Sequence, residues 1–134
     1  MKRLSRWSMA IVATFVLALS LVGVFAKQAL ADTTPVTSEV ELLAAIAAAP
    51  ADGSQSIVQV NADFTITAPV QVPANKNIRL TGSGTITSTS AMTDSNRFFY
   101  MFKIASGGAV TLDGATIDGN NTAFAVENRG SFTL

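Results

Sequence analysis

From Ser56 onward the chain is written in short triplets of apolar, polar and apolar residues. Val58-Gln59-Val60, Ile78-Arg79-Leu80, Val110-Thr111-Leu112 and Phe132-Thr133-Leu134 share the pattern and are bounded by Gly, Asn, Asp or Pro. Alternation of period two is that of a pleated strand, which sends the outer residues of a triplet to one face and the middle residue to the other. Each of the first three is followed by a second apolar run, Phe64-Thr65-Ile66, Thr85-Ile86 and Thr116-Ile117. A third column, Val70-Gln71-Val72, Phe102-Lys103-Ile104 and Phe124-Ala125-Val126, closes each unit. A unit is therefore three short strands joined by turns.

The first triplets recur at intervals of 20, 32 and 22 residues. β-only repeats of this length are the mark of a stacked solenoid, in which neighbouring coils complete a core that one coil cannot bury alone. The prediction is a parallel β-helix with Val58, Val60, Ile78, Leu80, Val110 and Leu112 inside and Gln59, Arg79, Thr111 and Thr133 in an outer column. The interval of 32 reads as a coil carrying an insertion within "TSTSAMTDSNRFFYM", whose polar front half is expected to be a surface loop.

Ahead of the strands lies one helix signal. Ser38-Glu39-Val40-Glu41 fits a capping box, with Ser38 as N-cap and Glu41 reaching back, and Leu42, Leu43, Ala45, Ile46 and Ala49 follow at helical spacing until Pro50 and Gly53. Solenoid ends expose unpaired strand edges, and a helix laid over the first coil would cover one of them.

Residues 1–31 stand apart. Lys2, Arg3 and Arg6 precede an uncharged run from Met9 to Ala26, and Ala29-Leu30-Ala31 resembles a cleavage site. The segment reads as a signal peptide, with an uncleaved membrane anchor as the rival because the run is just long enough to span a bilayer. Without it the chain changes sign: residues 32–134 keep all nine Asp and Glu but only five Lys and Arg, a net charge of −4. No basic footprint for nucleic acid remains. The absence of Cys and His excludes a disulfide framework, the Ser-His and Cys-His dyads and the usual zinc ligand sets. No cofactor is expected.

Together the export signal, the helix "SEVELLAAIAAA", the coil "KNIRLTGSGTIT", the aromatic "FFYMFKIASGG" and "VTLDGATIDG" resemble the N-terminal part of the pectate lyase-like adhesive domains of bacterial surface proteins. The resemblance covers nearly all of residues 32–134. It implies a right-handed parallel β-helix, secreted or displayed on the surface of, typically, a Gram-positive bacterium and acting in adhesion or at the cell envelope. Members of that family are longer, and the chain halts within a coil at Phe132-Thr133-Leu134, so a truncated member is the expectation.

Asp113 and Asp118 each precede a glycine and stand five residues apart. The turn reading has each carboxylate cap a nearby amide while Gly114 and Gly119 supply positive φ. The sharper reading is a calcium site or an acid/base pair, which needs converging oxygens or two carboxylates flanking a sugar bond. Arg79 is the candidate outward arginine for a lyase base or a ligand contact, against a plain solvated strand residue. Four of the seven aromatics of residues 32–134 lie in Phe98, Phe99, Tyr100 and Phe102. Alternation sends Phe98, Tyr100 and Phe102 to one side and Phe99 with Met101 to the other. That second pair either packs under the loop or forms an exposed platform for sugars or a protein partner.

The resulting expectation is a non-catalytic, adhesin-like module binding glycans or surface proteins. The alternative is the beginning of a polysaccharide lyase or glycoside hydrolase whose catalytic coils lie beyond residue 134. A bare last coil would also let the chain associate with itself.

Overall fold

The computed structural model describes residues 32–89, 99–121 and 123–134. The expected export segment, most of the expected loop and Phe98 lie outside the described residues. Eleven strands and one helix follow in order: β1 (Thr33–Val36), α1 (Glu39–Ala48), β2 (Gln55–Val60), β3 (Phe64–Ile66), β4 (Val70–Val72), β5 (Asn77–Gly82), β6 (Thr85–Ser88), β7 (Tyr100–Ile104), β8 (Ala109–Asp113), β9 (Thr116–Asp118), β10 (Phe124–Asn128) and β11 (Ser131–Thr133). All but β1 fall on the Val, Ile, Thr and Phe runs that the alternation selects, as β-branched and aromatic side chains suit a pleated, half-buried surface.

The strands form three sheets, ordered β1-β2-β5-β8-β11, β3-β6-β9 and β4-β7-β10. Every pairing between strands is parallel. From β2 on, the chain visits the first, second and third sheets in turn and then returns to the first. The architecture is all-β with a single short helix.

Inward residues from the three sheets meet in one core. Val58, Val60, Ile78, Leu80 and Val110 of the first sheet are buried together with Ile66 and Ile86 of the second and Val70, Val72, Phe102 and Ile104 of the third. Leu112 packs against this core while only partly buried. The inward and outward assignments along the first sheet thus follow the alternation.

The register does not. Val58 stands beside Leu80 and Val60 beside Gly82, an offset of 22 rather than 20, whereas Ile78 beside Val110 and Val110 beside Phe132 fall at the expected 32 and 22. A slip of two keeps every side chain on its face, so the hydrophobic pattern is blind to it. The close approach at Gly82 fixes it: φ is +97° there, and a Cβ would lie 3.0 Å from both the backbone N and the carbonyl carbon of Val60. Arg79 consequently stands between Ile57 and Thr111, and Gln59 is beside Thr81. The third sheet is shifted in the same manner, with Val126 rather than Phe124 beside Phe102.

At the N-terminal end the structure adds β1, which precedes the helix and pairs with β2, placing fully buried Val36 in the core. Pro35 lacks an amide hydrogen and is tolerated because β1 is an edge strand. Helix α1 begins at the expected N-cap, with the Ser38 hydroxyl accepting the Glu41 N–H at 3.4 Å. Glu41 reaches back one residue further than a capping box requires, accepting from the Thr37 N–H at 2.7 Å and its hydroxyl at 2.9 Å. Leu42, Ala45, Ile46 and Ala49 enter the core, whereas Leu43 is exposed.

The helix lies against β1 and β3 and is held at both ends. The Glu39 carboxylate accepts the Thr67 N–H at 2.8 Å in the turn before β4. In the turn after β4, the Lys76 ammonium donates to the carbonyls of Ala47, at 3.0 Å, and Ala49. An acidic group at the first turn and a cation at the last both complement the helix dipole. Among the described residues, no helix is long and apolar enough to cross a membrane.

Candidate functional site

Each sheet turns one face to solvent, and the ladders decide which polar side chains become neighbours there. On the third sheet Gln71, Lys103 and Glu127 form one outward row on β4, β7 and β10. Glu127 also meets Arg129, whose Nε and Nη2 lie 3.0 and 2.9 Å from its Oε1. Arg129 is anchored by its backbone, which donates to the Ile104 carbonyl at 3.0 Å, and the turn is tightened by the Gly130 N–H on Asn128 Oδ1 at 3.0 Å. Lys103 Nζ stands 3.9 Å from the second carboxylate oxygen, Oε2. That is an ion pair without a hydrogen bond.

These residues line a concavity of about 260 Å³, with Ile104 and Ala105 completing its wall. Two cations and one carboxylate converge here in a region whose overall charge is negative. The triplet Phe124-Ala125-Val126 conceals the arrangement, since it puts Ala125 beside Lys103. The two-residue slip brings Glu127 there instead.

On the first sheet Arg79 donates through Nε, at 2.9 Å, and Nη2 to Asp113 Oδ2 at the end of β8. Their side chains are 41% and 50% exposed, so the pair is an open surface contact. Arg79 is thus a solvated strand residue that is also ion-paired, and Asp113 engages Arg79 rather than an amide of its own turn. Gly114 has the expected positive φ, +102°.

Asp118 closes a strand of the second sheet and does cap its turn, Oδ1 accepting the Asn120 N–H at 2.8 Å. Positive φ falls here on Asn120 and Asn121, not on Gly119. Gly119 is needed for space, because a Cβ would collide with the Ala123 carbonyl. The two aspartates therefore serve different partners on different sheets. Among the described residues no three His, Cys, Asp or Glu side chains come together as a metal would require.

The expected aromatic platform is corrected at Met101, which is fully buried and offers no surface. Met101 and Phe102 are both buried although they point to opposite faces of β7, so the outer face is covered at that position. Phe99 is half-buried and packs against the core. Tyr100 and Phe124 form an aromatic contact, ring centroids 5.7 Å apart, with Phe124 still exposed. A second concavity of about 350 Å³, between β1 and α1, is lined by Thr34, Pro35, Glu41 and three alanines. Its one charged group, Glu41, is already engaged by Thr37.

Glu41 and Asp52 have displaced titrations, and both move downward. Hydrogen bonds from the Thr37 backbone and then its hydroxyl hold Glu41 below the ordinary glutamate value, and those from the Ser54 hydroxyl and then its backbone do so for Asp52. Both carboxylates are stabilised as anions, the reverse of what a general acid needs. Compared with known proteins, the chain matches no family model, no curated protein and no solved structure.

Proposed function

We propose that residues 32–134 form a right-handed parallel β-helix and that the chain is a secreted or cell-surface recognition module, similar to the pectate lyase-like adhesive domains, which holds a rigid face against a glycan or a surface protein. The β-helix reading is supported by three parallel sheets visited in turn, by the 22- and 32-residue offsets between paired strands, and by a helix held over one end. Export is supported by the charge and hydropathy pattern of residues 1–31.

The observation that carries the functional reading is the row Gln71, Lys103 and Glu127 with Arg129, polar groups of both kinds on adjacent strands of one sheet and facing a concavity. Backbone ladders fix these side chains at their roots and Glu127 is already bonded to Arg129, so a ligand would have to order chiefly the rotamers of Lys103 and Gln71. Binding without bond cleavage is favoured because Arg79 is held in an ion pair and the displaced carboxylates are displaced downward.

Incubating the full chain with purified bacterial envelope polysaccharides, while following both retention and the appearance of new chain ends, tests the reading. The expected result is retention with no new reducing or unsaturated ends. Accumulation of such ends, abolished by Arg79→Ala, would establish an enzyme instead.

A further inference from the structure

The concavity on the third sheet has a more specific chemistry. Glu127 Oε1 takes both near nitrogens of Arg129, but Oε2 has only Lys103 at 3.9 Å. The Lys103 ammonium makes no hydrogen bond among the described residues, and neither does the Gln71 side-chain amide. The hollow is thus bordered by donors alone at Lys103, an acceptor at Glu127 Oε2, and a group that does both at Gln71.

An anion such as a carboxylate or phosphate only accepts, and Glu127 would repel it. A bare cation would meet Lys103 and Arg129. A hydroxyl both donates and accepts, and two vicinal hydroxyls could bridge Lys103 and Glu127 Oε2 across a gap that is too wide for the pair itself to close. Ala105, exposed beside the polar row, supplies a small apolar patch on which the C–H face of a sugar ring can rest, while Ile104 is buried beneath it. The size, about 260 Å³, falls just below the range of small-molecule sites and suits one sugar unit of a longer chain.

We infer that this concavity is a subsite for a neutral sugar residue with vicinal hydroxyls, Lys103 donating to one hydroxyl, Glu127 Oε2 accepting from its neighbour, and Gln71 contacting the adjoining unit. The inference rests on the recognition reading above and narrows it to one face and one ligand class.

The test uses the isotopically labelled full chain and four probes: mannotetraose, maltotetraose, β-1,4-galactotetraose and the acidic tetragalacturonate. At least one neutral probe should shift the amide resonances of residues 71, 103–105 and 127–129. Lys103→Met and Glu127→Leu should each weaken that binding about tenfold or more, as expected for a lost hydrogen bond to a charged group. Arg79→Ala should leave it unchanged, and unaltered amide spectra away from the third sheet would show that each variant is folded. Tighter binding of tetragalacturonate than of every neutral probe, or neutral binding indifferent to both substitutions, overturns the subsite. So does a set of shifts confined to another face, although that result would leave the recognition reading standing. If the chain neither shifts with any probe nor is retained on envelope polysaccharides or surface proteins, the recognition reading itself fails.

Discussion

Replacing Gly82 with alanine separates two costs that usually arrive together. Gly82 and Gly53 both lie at positive φ, +97° and +83°, so alanine at either site carries the left-handed penalty of about 1–2 kcal/mol. At Gly53 a Cβ meets nothing within 4 Å, so the penalty stands alone. At Gly82 the same Cβ would lie 3.0 Å from both the nitrogen and the carbonyl carbon of Val60, and closer still to the carbonyl oxygen that accepts the Gly84 N–H at 3.1 Å. The first sheet would have to open between β2 and β5, at a cost of the order of other overpacked sites, about 1–3 kcal/mol. Gly82→Ala should therefore destabilise by about 2–5 kcal/mol and Gly53→Ala by about 1–2. In a domain of this size the difference should lower Tm by at least about 4 °C more for Gly82→Ala. Urea and thermal unfolding of the full chain, followed by circular dichroism, measure it. Equal losses for the two variants would mean that Val60 does not stand beside Gly82, and the 22-residue register would be wrong.

Three further outcomes are expected. Phe102→Ala removes a buried ring stacked between Val70 and Val126 and should cost about 3–5 kcal/mol in the same unfolding measurement. Arg79→Ala should cost no more than about 1 kcal/mol, because both partners of its ion pair are substantially exposed, and adding salt should shrink the difference from the parent chain. Glu41 titrates below its ordinary value when folded, so its contribution to stability is present above the ordinary glutamate range and is lost as pH falls through the folded value. Glu41→Gln should accordingly flatten the acid limb of the stability profile, and parallel acid titrations of the two proteins check it.

The alternation of Val58, Val60, Ile78, Leu80 and Val110 was enough to read which side of each first-sheet strand faces the core, because burial on one face imposes a period of two. That same period hides slips of two, and both register differences are of this kind. The consequence on the third sheet is chemical: Lys103 meets Glu127, while Arg79 reaches Asp113, 34 residues away, in the expected β5–β8 register. Pairings at such a separation leave no local trace. Strand β1 was hidden because Thr33-Thr34-Pro35-Val36 has one residue for the core and a proline that discourages a strand reading, although an edge position permits both. The helix was legible through Ser38 and the apolar spacing that follows it. Its attachment was not, because Glu39 reaches the backbone amide of a distant turn and Lys76 reaches from another turn to carbonyls at the helix end. Met101 escaped the alternation because burial on β7 extends to both faces.

The unequal spacing between paired strands bears on how the chain folds and how it can change. Joining β2 to β5 closes a loop of 22 residues, whereas joining β5 to β8 closes one of 32. Loop-closure entropy grows only with the logarithm of length, so the longer loop costs about 0.3 kcal/mol more than the shorter one. The two parallel pairings therefore close at nearly the same entropic cost, although the connection between β6 and β7 is the longer one. Length added between β6 and β7 would raise the cost of closing β5 onto β8 only slowly, about 0.6 kcal/mol for each doubling of the loop.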